Sequence, residues 1–199
     1  MLRNISKIAF TVLLFSIVSC RHSSISPGET VISDFPDNVG NNWVYSFYDS
    51  LSNKSDILTI TIVGQTIDKS ASIWQFKYSD RIDTQYVTIS QDTVFFSPVV
   101  SSPWSSYNTK IPFPLMIGNK WRGNYLNDSS YVAEKNPVSV PAGSFANAYK
   151  IVEGWGGFND YGSIISWFVP KVGIVRRYHT GASFGLANDT FTLVSYNIR

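Results

Sequence analysis

The chain is poor in the residues that most often do chemistry. Its 199 residues include one cysteine, two histidines and two methionines, and only 15% are charged. With Cys20 alone, no internal disulfide can form. Of the two histidines, His22 lies in the polar stretch just after Cys20, which leaves His179 by itself in the folded part. A metal site would need two or three more ligands of that kind, so no metal or other cofactor is expected. Charge of either sign is also lacking. Lys and Arg number 16 against 14 Asp and Glu, and without Arg3 and Lys7 of the leader the balance is 14 against 14. That leaves no basic stripe for nucleic acid and no acidic run for cations. The three glutamates, Glu29, Glu134 and Glu153, are scattered, and nothing marks two carboxylates as a glycosidase pair. Gly181-Ala182-Ser183-Phe184-Gly185 fits the Gly-x-Ser-x-Gly elbow of esterases. No helical pattern follows it, however, and His179 precedes the serine, so it reads as a turn between strands. The composition points away from an enzyme.

Long hydrophobic runs are missing too, apart from Ile8 to Val18. That run is too short to span a bilayer, which takes ~20 apolar residues, and with Arg3 and Lys7 before it the segment reads as a secretory signal. It ends in Ile17-Val18-Ser19-Cys20, which resembles the lipobox of bacterial lipoproteins. The resemblance implies a signal peptide over 1–19, cleavage before Cys20 and lipidation of that residue, with attachment to the membrane through the acyl chains. Arg21 follows the cysteine rather than Asp, and no acidic run comes after it. This favours the outer membrane and its periplasmic face. Residues 20–33, broken by Pro27-Gly28, read as a tether.

What the chain has in quantity is aromatic residues, 15% of the total. Two of the six tryptophans stand in a unit that occurs twice. Phe35-Pro36-Asp37-Asn38-Val39-Gly40-Asn41-Asn42-Trp43 and Phe113-Pro114-Leu115-Met116-Ile117-Gly118-Asn119-Lys120-Trp121 both read Phe-Pro-x-x-[Val/Ile]-Gly-Asn-x-Trp. Proline fixes its own φ and extends the residue before it. The Gly-Asn pair supplies a turn with positive φ. Trp then opens a strand. Each unit is expected to be a strand entrance with an aromatic plug, so Phe35, Pro36, Gly40, Trp43, Phe113, Pro114, Gly118 and Trp121 are structural; display of the Trp faces to a ligand is the alternative.

From Asp34 onward the pattern has period two. Leu58, Ile60 and Ile62 share one face, and Trp74, Phe76 and Tyr78 share another, with polar residues between them. Turn signals recur every about 8–12 residues, and no apolar stripe of helical period runs for three turns. The fold class is all-β: residues 34–199 form a single domain of curved antiparallel sheet, half-barrel or sandwich-like, with two quasi-repeated halves at about 34–110 and 111–199. Trp104, Tyr107, Trp155, Phe158 and Tyr161 fall in loop-like contexts and are the candidate ligand or partner contacts. Arg176 and Arg177 are neighbours on a strand and point to opposite faces, so together with His179 they read as a solvated strand end.

Three signatures now stand in order: the doubled Phe-Pro unit, then Val140-Pro141-Ala142-Gly143-Ser144-Phe145, then Trp167-Phe168-Val169-Pro170-Lys171-Val172-Gly173-Ile174-Val175. This order resembles a broad group of uncharacterised bacterial exported lipoproteins. The resemblance implies a curved sheet loosely similar to the half-barrels of the periplasmic lipoprotein carrier and its receptor. It carries over no catalytic residue. Lys171 stands where many such sequences have Gly. The expected function is non-enzymatic binding of an apolar or amphipathic envelope molecule. The alternative is a lipid-tethered accessory subunit that presents aromatics to an envelope protein partner.

Overall fold

The alternation read from the sequence is realised in twelve strands. They are β1 (Asn42–Asp49), β2 (Lys54–Gln65), β3 (Ser72–Lys77), β4 (Ile82–Ser90), β5 (Thr93–Ser97), β6 (Thr109–Pro112), β7 (Lys120–Arg122), β8 (Ser129–Val140), β9 (Gly143–Gly156), β10 (Tyr161–Val169), β11 (Gly173–Ala182) and β12 (Leu186–Asn197). The computed structural model describes residues 32–97, 109–122, 129–156, 161–182 and 186–199. Cys20, its leader and most of the tether, together with Trp104, Tyr107, Phe158 and Ser183, lie outside them.

All twelve strands belong to one antiparallel sheet in the order β6-β5-β4-β3-β2-β1-β12-β11-β10-β9-β8-β7, nearly closed into a barrel. The chain enters at the middle of the sheet, where β1 pairs with β12, and each half then winds outward as a meander. β6 and β7 are the two edges. At that seam the indole Nε1 of Trp121 in β7 donates to the carbonyl of Lys110 in β6 at 3.1 Å. A single curled sheet satisfies its inner face against itself, which is why no helix is needed to cover it.

The two Phe-Pro units build the same local structure. Gly40 and Gly118 have φ of +91° and +87°, as a turn that favours glycine requires. Gly40 N–H donates to Ile62 O at 2.8 Å, and Ile62 N–H donates back to Asn41 O at 3.0 Å. In the second unit Gly118 N–H donates to Val132 O at 2.8 Å, and Val132 N–H donates to Asn119 O at 3.0 Å. Each unit thereby locks the start of one strand to the second strand of its own half. Trp43 and Trp121 follow as the second residues of β1 and β7. Their environments differ, since Trp43 is 2% exposed and Trp121 is half-buried.

Residues Ile32 to Asn41 cross one end of the barrel and plug it. Phe35 stacks on Trp74 and Phe168, at ring separations of 5.8 and 6.4 Å, and meets Phe113 edge-on at 6.2 Å. Trp43 stacks on Trp74 at 5.1 Å, and its Nε1 donates to Val172 O at 2.6 Å, tying β1 to the β10–β11 turn. The C-terminus is held at the same end: Arg199 N–H donates to Asn41 Oδ1, and Asn38 Nδ2 donates to Arg199 O. Asp37 accepts from Ser72 and Trp74 there. Burial pushes its carboxyl up, and those two hydrogen bonds pull the other way.

Candidate functional site

Beyond the plug the barrel is hollow. A cavity of about 440 Å³ lies between the two halves. Its wall on the first half is aromatic and aliphatic, with Trp43, Tyr45, Leu58, Ile60, Trp74, Phe76 and Phe96. These are the inward positions of their strands, and in β2 and β3 they alternate with Thr59, Thr61, Gln75 and Lys77, so the period-two pattern of those two strands builds this wall directly. Tyr45 is buried, and its hydroxyl donates to Ile174 O at 2.7 Å. Burial raises the pKa of that phenol far above the usual tyrosine range.

The wall on the second half carries charge, arranged by register. Ile151, Ser166, Arg177 and Phe191 face one another in a row across β9, β10, β11 and β12. Two residues further from the plug, Glu153, Ile164, His179 and Asp189 form the next row. All eight line the cavity. His179 Nδ1 and Asp189 Oδ2 lie 3.3 Å apart, while Asp189 Oδ1 is buried with no hydrogen-bond partner. Arg177 is central: its positive charge acts on Tyr45, Tyr78 and Glu153. Burial pushes the Glu153 carboxyl up toward its neutral form, and Arg177 opposes that shift. The side chains of His179 and Asp189 keep 32% and 23% of their exposure, so this end of the cavity meets solvent.

A third row caps the charged pair of rows. Trp155 of β9 lies opposite Gly162, which lies opposite Gly181. A Cβ on Gly162 would sit 2.3 Å from Trp155 Cζ2 and 2.6 Å from Thr180 O, so only glycine leaves room for the indole. The ring lies against His179 at 5.4 Å. The two glycines are a platform for the tryptophan.

The sequence placed some of this and missed the rest. Trp155 was expected in a glycine-rich connection, but β9 runs through Gly156, so Trp155 is a strand residue packed on the imidazole. Tyr161 opens β10 and is 59% exposed, away from the cavity lining. Arg176 and Arg177 do diverge: Arg176 lies over the Trp167 ring at 5.8 Å and donates to Ser139 O, whereas Arg177 enters the cavity. His179 shares the face of Arg177, so the two are not a solvated strand end. Glu153 and Asp189, which no sequence signal singled out, complete the group. Among the described residues no cluster of His, Cys, Asp and Glu is placed to hold a metal, and no hydroxyl is hydrogen-bonded to the His179 imidazole.

No protein-family model and no curated protein matches the chain. Two solved structures share its fold. One is a candidate lipoprotein from Parabacteroides distasonis, 13% identical with a TM-score of 0.51, matched over 82% of this chain and 97% of that one. The other is a candidate exported protein with a YmcC-like fold from Bacteroides fragilis, 15% identical with a TM-score of 0.52, matched over 82% of this chain and 98% of that one. At these identities the likeness is one of fold.

Proposed function

We propose that the protein is a lipid-anchored lipoprotein of the cell envelope, attached through Cys20 to the periplasmic face of the outer membrane, and that its barrel holds an apolar or amphipathic molecule. The observation that carries this reading is the cavity of about 440 Å³, lined by aromatic and aliphatic side chains from both halves. That volume lies within the range of small-molecule sites, ~300–1,000 Å³. The leader with its lipobox-like end supports the address, and the fold likeness to lipoprotein and exported-protein candidates agrees with it. The role is binding rather than catalysis.

The test is native mass spectrometry of the full chain released from membranes, with Ile164→Trp as the control. Ile164 lines the cavity at half burial, and an indole there narrows it. Wild type should carry an apolar adduct that the variant loses. Absence of any adduct, with no uptake of added amphiphile, would reject the reading.

A second reading, an accessory subunit on a protein partner, is favoured by Val39 and Ile117. They hold the same place in the two Phe-Pro units and are 47% and 62% exposed. Cross-linking from those positions in cells should then trap one defined partner.

A further inference from the structure

We infer that the cavity takes a single-chain amphiphile with an anionic head, carboxylate or phosphate monoester, whose head is held by Arg177 and whose chain runs toward the Phe35 plug. This rests on the cavity-binding reading and adds the chemistry of the ligand.

The inner wall of the barrel is divided along its length. Near the plug it is lined by Phe35, Trp43, Trp74 and Phe168 with no ionisable side chain among them. The acidic and basic groups of the lining, Glu153, Arg177, His179 and Asp189, lie in the two rows farther out, where solvent reaches. An apolar end and a charged end in one cavity fit a molecule with the same division.

The sign of the head follows from which charges are already engaged. Asp189 has Oδ2 on His179 and leaves Oδ1 buried without a partner among the described residues, so it is only half engaged and offers the head a hydrogen-bond acceptor beside Arg177. Among the described residues the Arg177 guanidinium makes no hydrogen bond or ion pair, although it lines the cavity and its charge reaches Tyr45, Tyr78 and Glu153. Glu153 is the cavity carboxylate that its charge reaches, and burial works against the ionised form of that group. A guanidinium offers a fork of N–H donors matched to carboxylate or phosphate oxygens. The volume, near the small end of ligand pockets, suits one chain rather than two.

Contact quenching of tryptophan tests this, because Trp43 and Trp74 line the apolar end. The full chain, carried in zwitterionic nanodiscs, is titrated with ω-brominated undecanoate and with the matching alkyl phosphate, alcohol and ammonium. The bromine should quench when the chain is seated. The acid or the phosphate should bind about tenfold or more tighter than the alcohol, the scale of a charge-assisted hydrogen bond, with the ammonium weakest. Whichever anion leads identifies the head. Arg177→Met should bring the ratio of acid to alcohol affinity close to one, and Arg177→Lys should keep part of it, with folding checked by near-UV circular dichroism. Equal binding of acid and alcohol by wild type, or tighter binding of the ammonium, overturns the inference and leaves the cavity reading standing. That comparison needs no variant, so a misfolded Arg177→Met would not blunt it. Quenching by none of the four removes both.

Discussion

Truncating Trp43 probes how the two halves are joined. The side chain is 2% exposed, stacks on Trp74 and donates to Val172 O at 2.6 Å, so one indole connects β1, β3 and the β10–β11 turn. Trp43→Ala removes a large buried aromatic, for which ~3–5 kcal/mol is typical. It also leaves the Val172 carbonyl without its donor, which adds about 1 kcal/mol. The new void would run into the existing cavity, where neighbours have nothing to collapse onto, so the upper part of that range is expected. For a domain of this size each kcal/mol moves the melting temperature by ~2–4 °C, so a total of about 5–6 kcal/mol gives a drop on the order of 10–24 °C. Trp43→Phe keeps a ring for the stack but loses the five-membered ring with its N–H, so its cost should be smaller than that of Trp43→Ala, on the order of 1–3 kcal/mol. Trp121→Ala should cost less than Trp43→Ala, on the order of 1–3 kcal/mol, because that ring is already half-buried. Thermal melts followed by near-UV circular dichroism rank the three. If Trp43→Ala melts within ~2 °C of wild type, the plug is not what holds the halves together.

Three further outcomes are expected. Lys171 has φ of +65° in the β10–β11 turn, a conformation that costs a non-glycine residue ~1–2 kcal/mol, so Lys171→Gly should raise the melting temperature and Lys171→Val should lower it. Gly162→Ala should destabilise by ~1–3 kcal/mol, and removing the Trp155 ring should not rescue it, because the Thr180 carbonyl 2.6 Å from the added Cβ remains. Glu153 has its folded pKa raised by burial, so its contribution to stability is present below the ordinary value of 4.5 and is lost as pH rises through the folded value. Melts across pH should therefore show Glu153→Gln gaining on wild type toward the alkaline side; a difference that does not vary with pH would contradict this.

Local physics made part of this molecule readable in advance. Leu58 and Ile62, and Trp74 with its neighbours two and four places on, face inward as period two requires. The positive φ at Gly40 and Gly118 follows from the Gly-Asn turns. The sheet order was not readable, because pairing of β1 with β12 joins residues 140 or more apart and leaves no local trace. Trp155 was misplaced for a related reason. Gly154 and Gly156 look like loop signals, while the space the indole needs is made by Gly162 and Gly181 on other strands. The polar rows were half legible. That Arg177 and His179 share a face follows from their spacing, but Glu153 and Asp189 reach them only through the register of β9 and β12.

That register sets up a conflict between stability and use. Charged groups inside a barrel are costly, and their replacement by apolar residues of similar volume is often neutral or stabilising, by ~1–4 kcal/mol where a buried pair is removed together. Arg177 and Glu153 sit on an inner wall whose neighbours are Ile151, Ile164, Phe168 and Phe191. A purely structural interior would have no reason to keep them. The double variant Glu153→Leu with Arg177→Met should therefore melt at or above the wild-type temperature, while its preference for an acid over an alcohol of the same chain length disappears. Arg177→Met alone should be worse for stability than the pair, since it removes the positive charge that offsets the burial of Glu153. If the double variant is instead destabilised by more than ~1 kcal/mol, the two side chains hold the barrel together and their place in the cavity is explained by folding alone.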